Sequence, residues 1–231
     1  MKKLFPLAVL ASLALSGCGS TASDAPSSTE PSADAQMPSG ENQEVLPAED
    51  LDTPELMEAG AFKLLAMSGA DISFDLPTPT TDKRLSEIEA YRKDTGADPV
   101  TYLIAEVDNR KGTEFVNMYE VSAYDEEGNK YEFSTVSEHI SEWGPTYTAD
   151  YEYVMPDGSE LSETEGQALN NRGVDLHNKF LDGVDPAERG TIVMLSEDVD
   201  LPSEFTRVAV HPSGGMNEAE EAFPASWENA D

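Results

Sequence analysis

The chain has 231 residues, with 46 acidic and 14 basic side chains, and its formal net charge is −32 at pH 7. Surfaces that bind nucleic acid or anionic lipid need positive charge, so this balance argues against nucleic acid as a partner. The single cysteine excludes a disulfide within the chain, so a folded domain has to be stabilised by its hydrophobic core.

The first residues have the pattern of a bacterial export signal. The positive start Met1-Lys2-Lys3 precedes an apolar run, Leu4–Leu15, which is shorter than the roughly 20 residues that span a bilayer. Leu15-Ser16-Gly17-Cys18 resembles the lipobox of bacterial lipoproteins. The resemblance implies a signal peptide over 1–17, cleavage before Cys18, and a diacylglycerol on the Cys18 sulfur. We therefore expect a lipid-anchored protein at the extracytoplasmic face of the cell membrane.

Residues 18–58 form an acidic segment of low complexity, rich in Ser, Thr, Ala, Pro, Asp and Glu. No Lys or Arg occurs between Cys18 and Lys63, and the first aromatic residue after Cys18 is Phe62. Such a composition buries too little apolar surface to offset the entropy cost of ordering, which predicts a disordered tether. A flexible chain of this length spans about 30–37 Å, so it would hold a following domain away from the bilayer.

Short apolar runs separated by turn residues occupy 59–212, which predicts one folded domain. Ala61–Met67 and Asp71–Leu76 predict two strands. Lys83–Lys93 predicts a short helix that ends before Gly96, because glycine favours the left-handed conformation after a helix. Three residues of this helix fall on one side: Leu85, Ile88 and Arg92.

The middle of the domain has the clearest strand signals. Val100–Val107 is apolar on both faces for most of its length, which is typical of a central strand. Phe115–Tyr124 and Lys130–Val136 predict a hairpin, with Gly128 supplying a positive φ in the connecting loop.

Residues 137–186 are less regular and are interpreted as an insertion. Tyr147–Val154 predicts a strand, and Ser162-Glu163-Thr164-Glu165 has the pattern of a helix capping box. Four residues after this box share a helical face: Leu169, Gly173, Leu176 and Phe180. Aromatic residues suited to a binding surface or a sugar platform, with core packing as the alternative, are Trp143, Tyr147, Tyr151 and Tyr153.

The end of the chain contains two closing strands and an acidic tail. Gly190–Leu195 and Phe205–Val210 predict the strands. In the tail, 213–231, apolar residues lie near helical spacing at Met216, Phe223 and Trp227, but Pro224 interrupts a continuous helix. We expect this tail to be disordered or loosely docked, with a partner-binding motif as the alternative.

These elements predict a mostly β fold, an antiparallel sandwich with one or two short inserted helices. Tyr102–Asn109 resembles the long central strand of the Ig-like immunoprotective extracellular domain found in bacterial lipoproteins. Tyr124–Tyr131 resembles the Asp-x-x-Gly-x-x-Tyr hairpin of that family, and Gly190–Val193 with Val208–Val210 resembles its closing strands. The resemblance implies an Ig-like β-sandwich and surface exposure, and it supplies no catalytic residue.

The sequence contains no Gly-x-Ser-x-Gly elbow, P-loop, His-Glu-x-x-His motif or dinucleotide fingerprint, and lipid would consume the only thiol. We therefore expect no catalytic residue, cofactor or metal centre. His139, His177 and His211 lie in different predicted elements, which disfavours a shared metal site. The acidic turns Asp125-Glu126-Glu127 and Glu197–Asp200 offer oxygen ligands for Ca²⁺, but neither matches an EF-hand loop, and solvated turns are the alternative.

Together these patterns favour a non-catalytic, lipid-anchored binding or interaction module of the bacterial cell envelope. Its expected partners are the membrane, through the lipid on Cys18, and an envelope protein. A small-ligand or Ca²⁺-binding lipoprotein that uses its acidic loops is the alternative hypothesis. A hydrolase of cell-wall polymers is a third, and it lacks a supporting motif.

Overall fold

A computed structural model describes residues 55–181, 183–213 and 218–227. The predicted signal peptide, the lipobox with Cys18, and all but the end of the predicted tether lie outside the described residues. The folded part begins by Met57, which was assigned to the tether but is buried and belongs to a strand. Within the described ranges, no helix is long and apolar enough to cross a membrane.

The strands of the described ranges, numbered in chain order, are short and distributed over the whole domain. They are β1 (Met57–Glu58), β2 (Gly60–Leu65), β3 (Asp71–Thr78), β4 (Thr101–Asp108), β5 (Glu120–Tyr124), β6 (Lys130–Thr135), β7 (Thr146–Tyr147), β8 (Tyr153–Val154), β9 (Glu160–Leu161), β10 (Arg189–Ser196), β11 (Glu204–Phe205), β12 (Arg207–His211), β13 (Glu220–Glu221) and β14 (Phe223–Pro224). The helices are α1 (Ser86–Thr95), which follows a 3-10 turn at Lys83–Leu85, α2 (Val136–Trp143) and α3 (Glu163–Phe180).

Nine strands form one large sheet in the order β13-β12-β5-β6-β10-β4-β3-β2-β14, and every neighbouring pair is antiparallel. The two outermost strands, β13 and β14, are separated in the chain only by Ala222. The segment 220–224 therefore joins both edges, and the sheet is nearly closed. The expectation of a mostly β, antiparallel fold is confirmed. The Ig-like sandwich is not confirmed, because these nine strands belong to a single sheet.

Strand β4 lies between β3 and β10, which confirms it as a central strand. Successive side chains of a strand point to opposite faces, so β4 contributes to two cores. Leu103, Ala105 and Val107 pack inside the curved sheet with Phe74 and Met194. The outer core lies beneath the helices and contains Tyr102, Ile104, Val193, Leu195, Leu85, Ile88, Val136, Ile140 and Leu176. Burial of each large apolar side chain contributes about 1.5–3 kcal/mol, so both faces stabilise β4.

The helix boundaries follow the capping signals. Gly96 ends α1 with a φ of 73°, as predicted from its position after the amphipathic stretch. At the start of α3 the Ser162 hydroxyl accepts a hydrogen bond from the Glu165 backbone N–H, which confirms Ser162 as the N-cap. The Glu165 carboxylate accepts a hydrogen bond from the Ser162 hydroxyl at 2.6 Å. The prediction of one or two short helices was too low, because the described residues form three, and α3 has 18 residues.

Three strand predictions need correction. Phe205–Val210 is not one strand, because Phe205 ends β11, which pairs with β1, and β12 begins at Arg207. Tyr147–Val154 is not one strand: it forms β7 and β8, which pair with each other across a turn. The hairpin between β5 and β6 is confirmed, with Gly128 at a φ of 82°, but β5 begins at Glu120 rather than at Phe115. The preceding stretch makes a single β-bridge, between Val116 and Val184. Local periodicity therefore located these segments without fixing where hydrogen bonding begins.

The acidic tail docks on the sheet more closely than expected. Within its described part, β13 pairs with β12 and β14 pairs with β2. Ala222 is 1% exposed and belongs to the inner core, and its backbone N–H donates to the Val208 carbonyl at 2.9 Å. Residues 218–227 are therefore part of the folded domain rather than a loosely docked extension.

Candidate interaction surface

Three tyrosine rings contact one another at the small sheet formed by β7, β8 and β9. Tyr147 pairs directly with Tyr153 in the strand register, and their ring centroids lie 4.7 Å apart. The Tyr151 ring meets the Tyr147 ring nearly edge-on, with 6.4 Å between centroids and 69° between planes. Both separations fall in the range where aromatic pairs attract each other beyond simple burial. We call Tyr147, Tyr151 and Tyr153 the tyrosine cluster.

The tyrosine cluster has a fixed base and an exposed tip. Tyr153 is half-buried against the first turn of α3, where a Cβ added to Gly166 would lie 2.3 Å from the Tyr153 Cγ. Only a glycine at position 166 therefore lets the ring lie this close to the helix. Tyr147 is 53% exposed and Tyr151 is 81% exposed, so the two outer rings present large apolar area to solvent.

The turn that carries Tyr151 is held in an unusual conformation. Tyr151 has a φ of 69°, a region that costs a residue with a side chain about 1–2 kcal/mol. The turn is closed by backbone hydrogen bonds from Thr148 N–H to the Glu152 carbonyl at 2.8 Å and from Tyr151 N–H to the Thr148 carbonyl at 3.1 Å. This local strain projects the Tyr151 ring outward, a pattern often seen where a loop serves binding.

The stretch of sequence that contains the tyrosine cluster carries charges of one sign. Between Lys130 and Arg172 the sequence contains no Lys or Arg, although this stretch includes α2, the whole small sheet and the first half of α3. The same stretch contains the acidic residues Glu132, Glu138, Glu142, Asp150, Glu152, Asp157, Glu160, Glu163 and Glu165. Asp150 and Glu152 flank Tyr151 and are exposed, so the cluster lies in a negative environment.

Trp143, the fourth aromatic residue predicted for this surface, is not among the ring contacts of the tyrosine cluster. It ends α2, with its ring 6.4 Å from that of His139, and it lines a cleft of about 480 Å³. Pro156 and Asp157, in the turn at the other end of β8, line the same cleft. The predicted surface is therefore divided into a tyrosine cluster and a tryptophan cleft.

The tryptophan cleft is also acidic. Its described lining residues are Thr95, Gly96, Ala97, Asp98, Pro99, Val100, Glu142, Trp143, Pro156, Asp157 and Glu197. Hydrogen bonds from the Ser159 hydroxyl and backbone N–H to the carboxylate lower the pKa of Asp157, which keeps it ionised. A cation would meet four carboxylates and one indole ring there.

The acidic turns proposed for Ca²⁺ have different surroundings. Asp125 accepts hydrogen bonds from the backbone N–H of Asn129 at 2.8 Å, from its side-chain amide at 2.7 Å, and from the Tyr131 hydroxyl at 3.0 Å. Through these hydrogen bonds, the Asp125 carboxylate holds the β5–β6 turn closed. Nowhere in the described part of the chain do three or more His, Cys, Asp or Glu side chains group as metal ligands.

The histidines make separate local contacts. His139 hydrogen-bonds to the Ser134 hydroxyl at 2.7 Å, and Nδ1 of His177 lies 2.9 Å from the Ser137 carbonyl oxygen. His211 ends β12, whereas His139 lies in α2 and His177 lies in α3. The structure therefore gives each histidine its own neighbours.

A charged groove of about 520 Å³, which the sequence patterns did not predict, lies on the outer face of β2, β3, β4 and β10. Asp108 at its edge accepts hydrogen bonds from Arg110 and from Arg189, and these two guanidinium groups lower its pKa well below the ordinary range. Charged residues at alternate positions of β3 and β4, such as Asp71 and Glu106, could have revealed this face. Because Lys63 and Arg189 offset most of the charge of its three acids, the groove is a weaker candidate for ligand binding than the tyrosine cluster.

The chain matches no protein-family model, no curated protein and no solved structure. The resemblances to the lipobox and to the Ig-like lipoprotein domain therefore stay predictions.

Proposed function

We propose that this chain is a non-catalytic, lipid-anchored interaction module on the extracytoplasmic face of the cell membrane. The observation that carries the proposal is the tyrosine cluster, whose two outer rings are exposed on a base fixed by α3. Tyrosine is enriched at protein interfaces because it provides a large, stiff contact area and a polar hydroxyl. A docking partner from the cell envelope would bury these rings.

The other parts of the proposal come from the sequence. A diacylglycerol on Cys18 would anchor the protein, and the acidic segment after it would place the domain within reach of envelope proteins. The Ig-like relationship also belongs to this proposal. It is supported by the strand over Thr101–Asp108, by the hairpin of β5 and β6, and by β10 and β12, since all three resembling segments form strands.

Photo-cross-linking in intact cells tests this function. A benzophenone amino acid replaces Tyr151 in one strain and Tyr119 in another, because Tyr119 is 52% exposed but lies outside the tyrosine cluster. We expect the probe at position 151 to capture one dominant envelope protein, and the probe at position 119 to capture none above background. Identical products at both positions, or none at position 151, would refute a docking role for the cluster.

The tryptophan cleft supports a second candidate function, the binding of a small cationic ligand. Its wall combines the Trp143 ring with Glu142 and Asp157, and a cation over an indole face is attracted by about 0.5–2 kcal/mol. Tetramethylammonium and Ca²⁺ should then raise the melting temperature of the full chain, and Trp143→Leu should abolish the tetramethylammonium effect. A flat response to both ions would dismiss this candidate.

A further inference from the structure

Among the described residues, no Lys or Arg side chain makes a cation–π contact with the tyrosine cluster, although other tyrosines of the protein have such contacts. The Arg172 guanidinium lies 5.4 Å from the centre of the Tyr91 ring, and that of Arg207 lies 5.7 Å from the Tyr124 ring. Across the described residues, no comparable contact involves a ring of the tyrosine cluster. The ring faces of Tyr147 and Tyr151 are thus open to a cation from outside.

The carboxylates beside these rings also have no counter-ion among the described residues. In the part of the chain that the structure describes, Asp150 and Glu152 take part in no ion pair, whereas acids such as Glu87 and Asp94 elsewhere on the surface are paired with Lys179 and Arg172. The nearest basic residues in the sequence are used locally: Lys130 pairs with Glu120 and Glu132. Carboxylates and aromatic rings therefore lie together here, and none of the described residues supplies them with a cationic partner.

We infer that the partner of the tyrosine cluster presents a cationic protein segment, with Arg or Lys side chains stacked on Tyr147 and Tyr151 and paired with Asp150 and Glu152. This inference rests on the proposed interaction function and specifies the chemistry of its partner. Charge complementarity supports it, because a surface with unpaired acids attracts a basic segment over about one Debye length and repels acidic ones. The arginine plane suits these rings best, since it stacks on an aromatic face while its N–H groups reach a neighbouring carboxylate.

The test uses the full chain and a defined probe, an acetylated and amidated peptide of alternating arginine and glycine. The control peptide contains citrulline, which has nearly the shape of arginine but no charge. We expect the arginine peptide to bind, the citrulline peptide to bind much more weakly, and binding to weaken as NaCl is raised. Equal binding of both peptides would overturn the inference, because binding would then not depend on the positive charge. Absence of binding by the arginine peptide would also overturn it.

Variants locate the binding. Tyr151→Ala and Tyr147→Ala should each lower the affinity for the arginine peptide about two- to fivefold, which is the loss expected for an exposed cation–π contact. Tyr119→Ala is the matched control, since its exposure of 52% equals that of Tyr147 within 1%. Asp150→Asn should reduce the salt dependence, and Glu126→Gln, in the exposed β5–β6 turn, should not. Equal losses in a cluster variant and its control would overturn the assignment.

The experiments distinguish a failure of the proposed interaction function from a failure of the proposed cationic partner. If photo-cross-linking from position 151 captures an envelope protein whose binding is insensitive to salt and to Asp150→Asn, the interaction function stands and the cationic partner is refuted. If the arginine peptide binds through the tyrosine cluster but no envelope protein is captured, the ligand chemistry stands and the envelope-protein partner is refuted.

Discussion

Glu89, Arg92 and Tyr102 form a buried polar network between α1 and β4. The Arg92 Nε donates to Glu89 Oε1 at 2.8 Å, and the Tyr102 hydroxyl donates to the same oxygen at 2.8 Å. Arg92 also donates to the Ala97 carbonyl at 2.7 Å. The side-chain hydrogen bond from Arg92 is the largest cause that lowers the pKa of Glu89 to about 2. This network ties the helix to the central strand at one fixed position.

Glu89→Gln should lower the stability and alter its response to acid. The folded-state pKa is depressed from 4.5 to about 2, so the ionised carboxylate stabilises the fold above pH 4.5 and loses this effect as the pH falls through 2. The contribution at neutral pH is at most about 3 kcal/mol. Urea unfolding of the wild type and of Glu89→Gln at a series of pH values measures the difference, which should shrink on acidification.

The control for this prediction is Glu87→Gln on the same helix. Glu87 is exposed and pairs with Lys179, and an exposed pair contributes about 0–1 kcal/mol. A difference between wild type and Glu89→Gln that stays constant from neutral pH to pH 2 would contradict the role assigned to the Glu89 carboxylate.

The small sheet formed by β7, β8 and β9 depends on a close contact with α3. Gly166→Ala would place a Cβ 2.3 Å from Cγ and 2.4 Å from Cβ of Tyr153, so the strand itself has to move rather than the ring tip. We expect a loss of about 1–3 kcal/mol, as for other overpacked sites, and a weaker tyrosine signal in near-ultraviolet circular dichroism. Gln167→Ala, on the exposed side of the same helix, should leave both unchanged. An unaltered tyrosine signal in Gly166→Ala would show that the contact between α3 and Tyr153 does not fix the position of the tyrosine cluster.

The C-terminal strands close the large sheet, and their removal should destabilise it. A chain that ends at Ser213 lacks β13 and β14, together with the buried Ala222 and the hydrogen bond from Ala225 N–H to the Ala61 carbonyl at 2.8 Å. Lost burial and backbone bonding should cost about 2–4 kcal/mol, measured as a lower urea midpoint. A chain that ends at Trp227 keeps the closing strands and serves as the control. Equal midpoints for the two truncations would mean that 218–227 contributes nothing to closure.

Elements with a local signal were predictable and their long-range arrangement was not. The two apolar faces of β4 and the glycine after α1 are encoded within a few residues, so sequence alone located them. The pairing of Lys63 with Phe223 joins opposite ends of the domain and leaves no periodic pattern. The candidate site was predictable in part: composition indicated exposed tyrosines, but the two-residue strands β7 and β8, which bring Tyr147 and Tyr153 together, were too short to predict.

The net charge of −32 has two opposing consequences. It favours solubility and disfavours contact with anionic lipid headgroups. It also destabilises the folded state, because folding brings the unpaired carboxylates closer together. The unpaired acids around the tyrosine cluster belong to this excess, so a cationic partner would bind and relieve local repulsion at the same time.

This repulsion predicts how salt acts on stability. At pH 7, raising NaCl from very low concentration to about 0.5 M shortens the Debye length several-fold, so the melting temperature should rise by about 2–8 °C. Near the sequence isoelectric point of about 4.1 the net charge approaches zero, and the same addition should have little effect. Calorimetry at both pH values separates charge screening from a general effect of the salt on hydration. An equal rise at both would contradict self-repulsion, because only the screening contribution depends on the net charge.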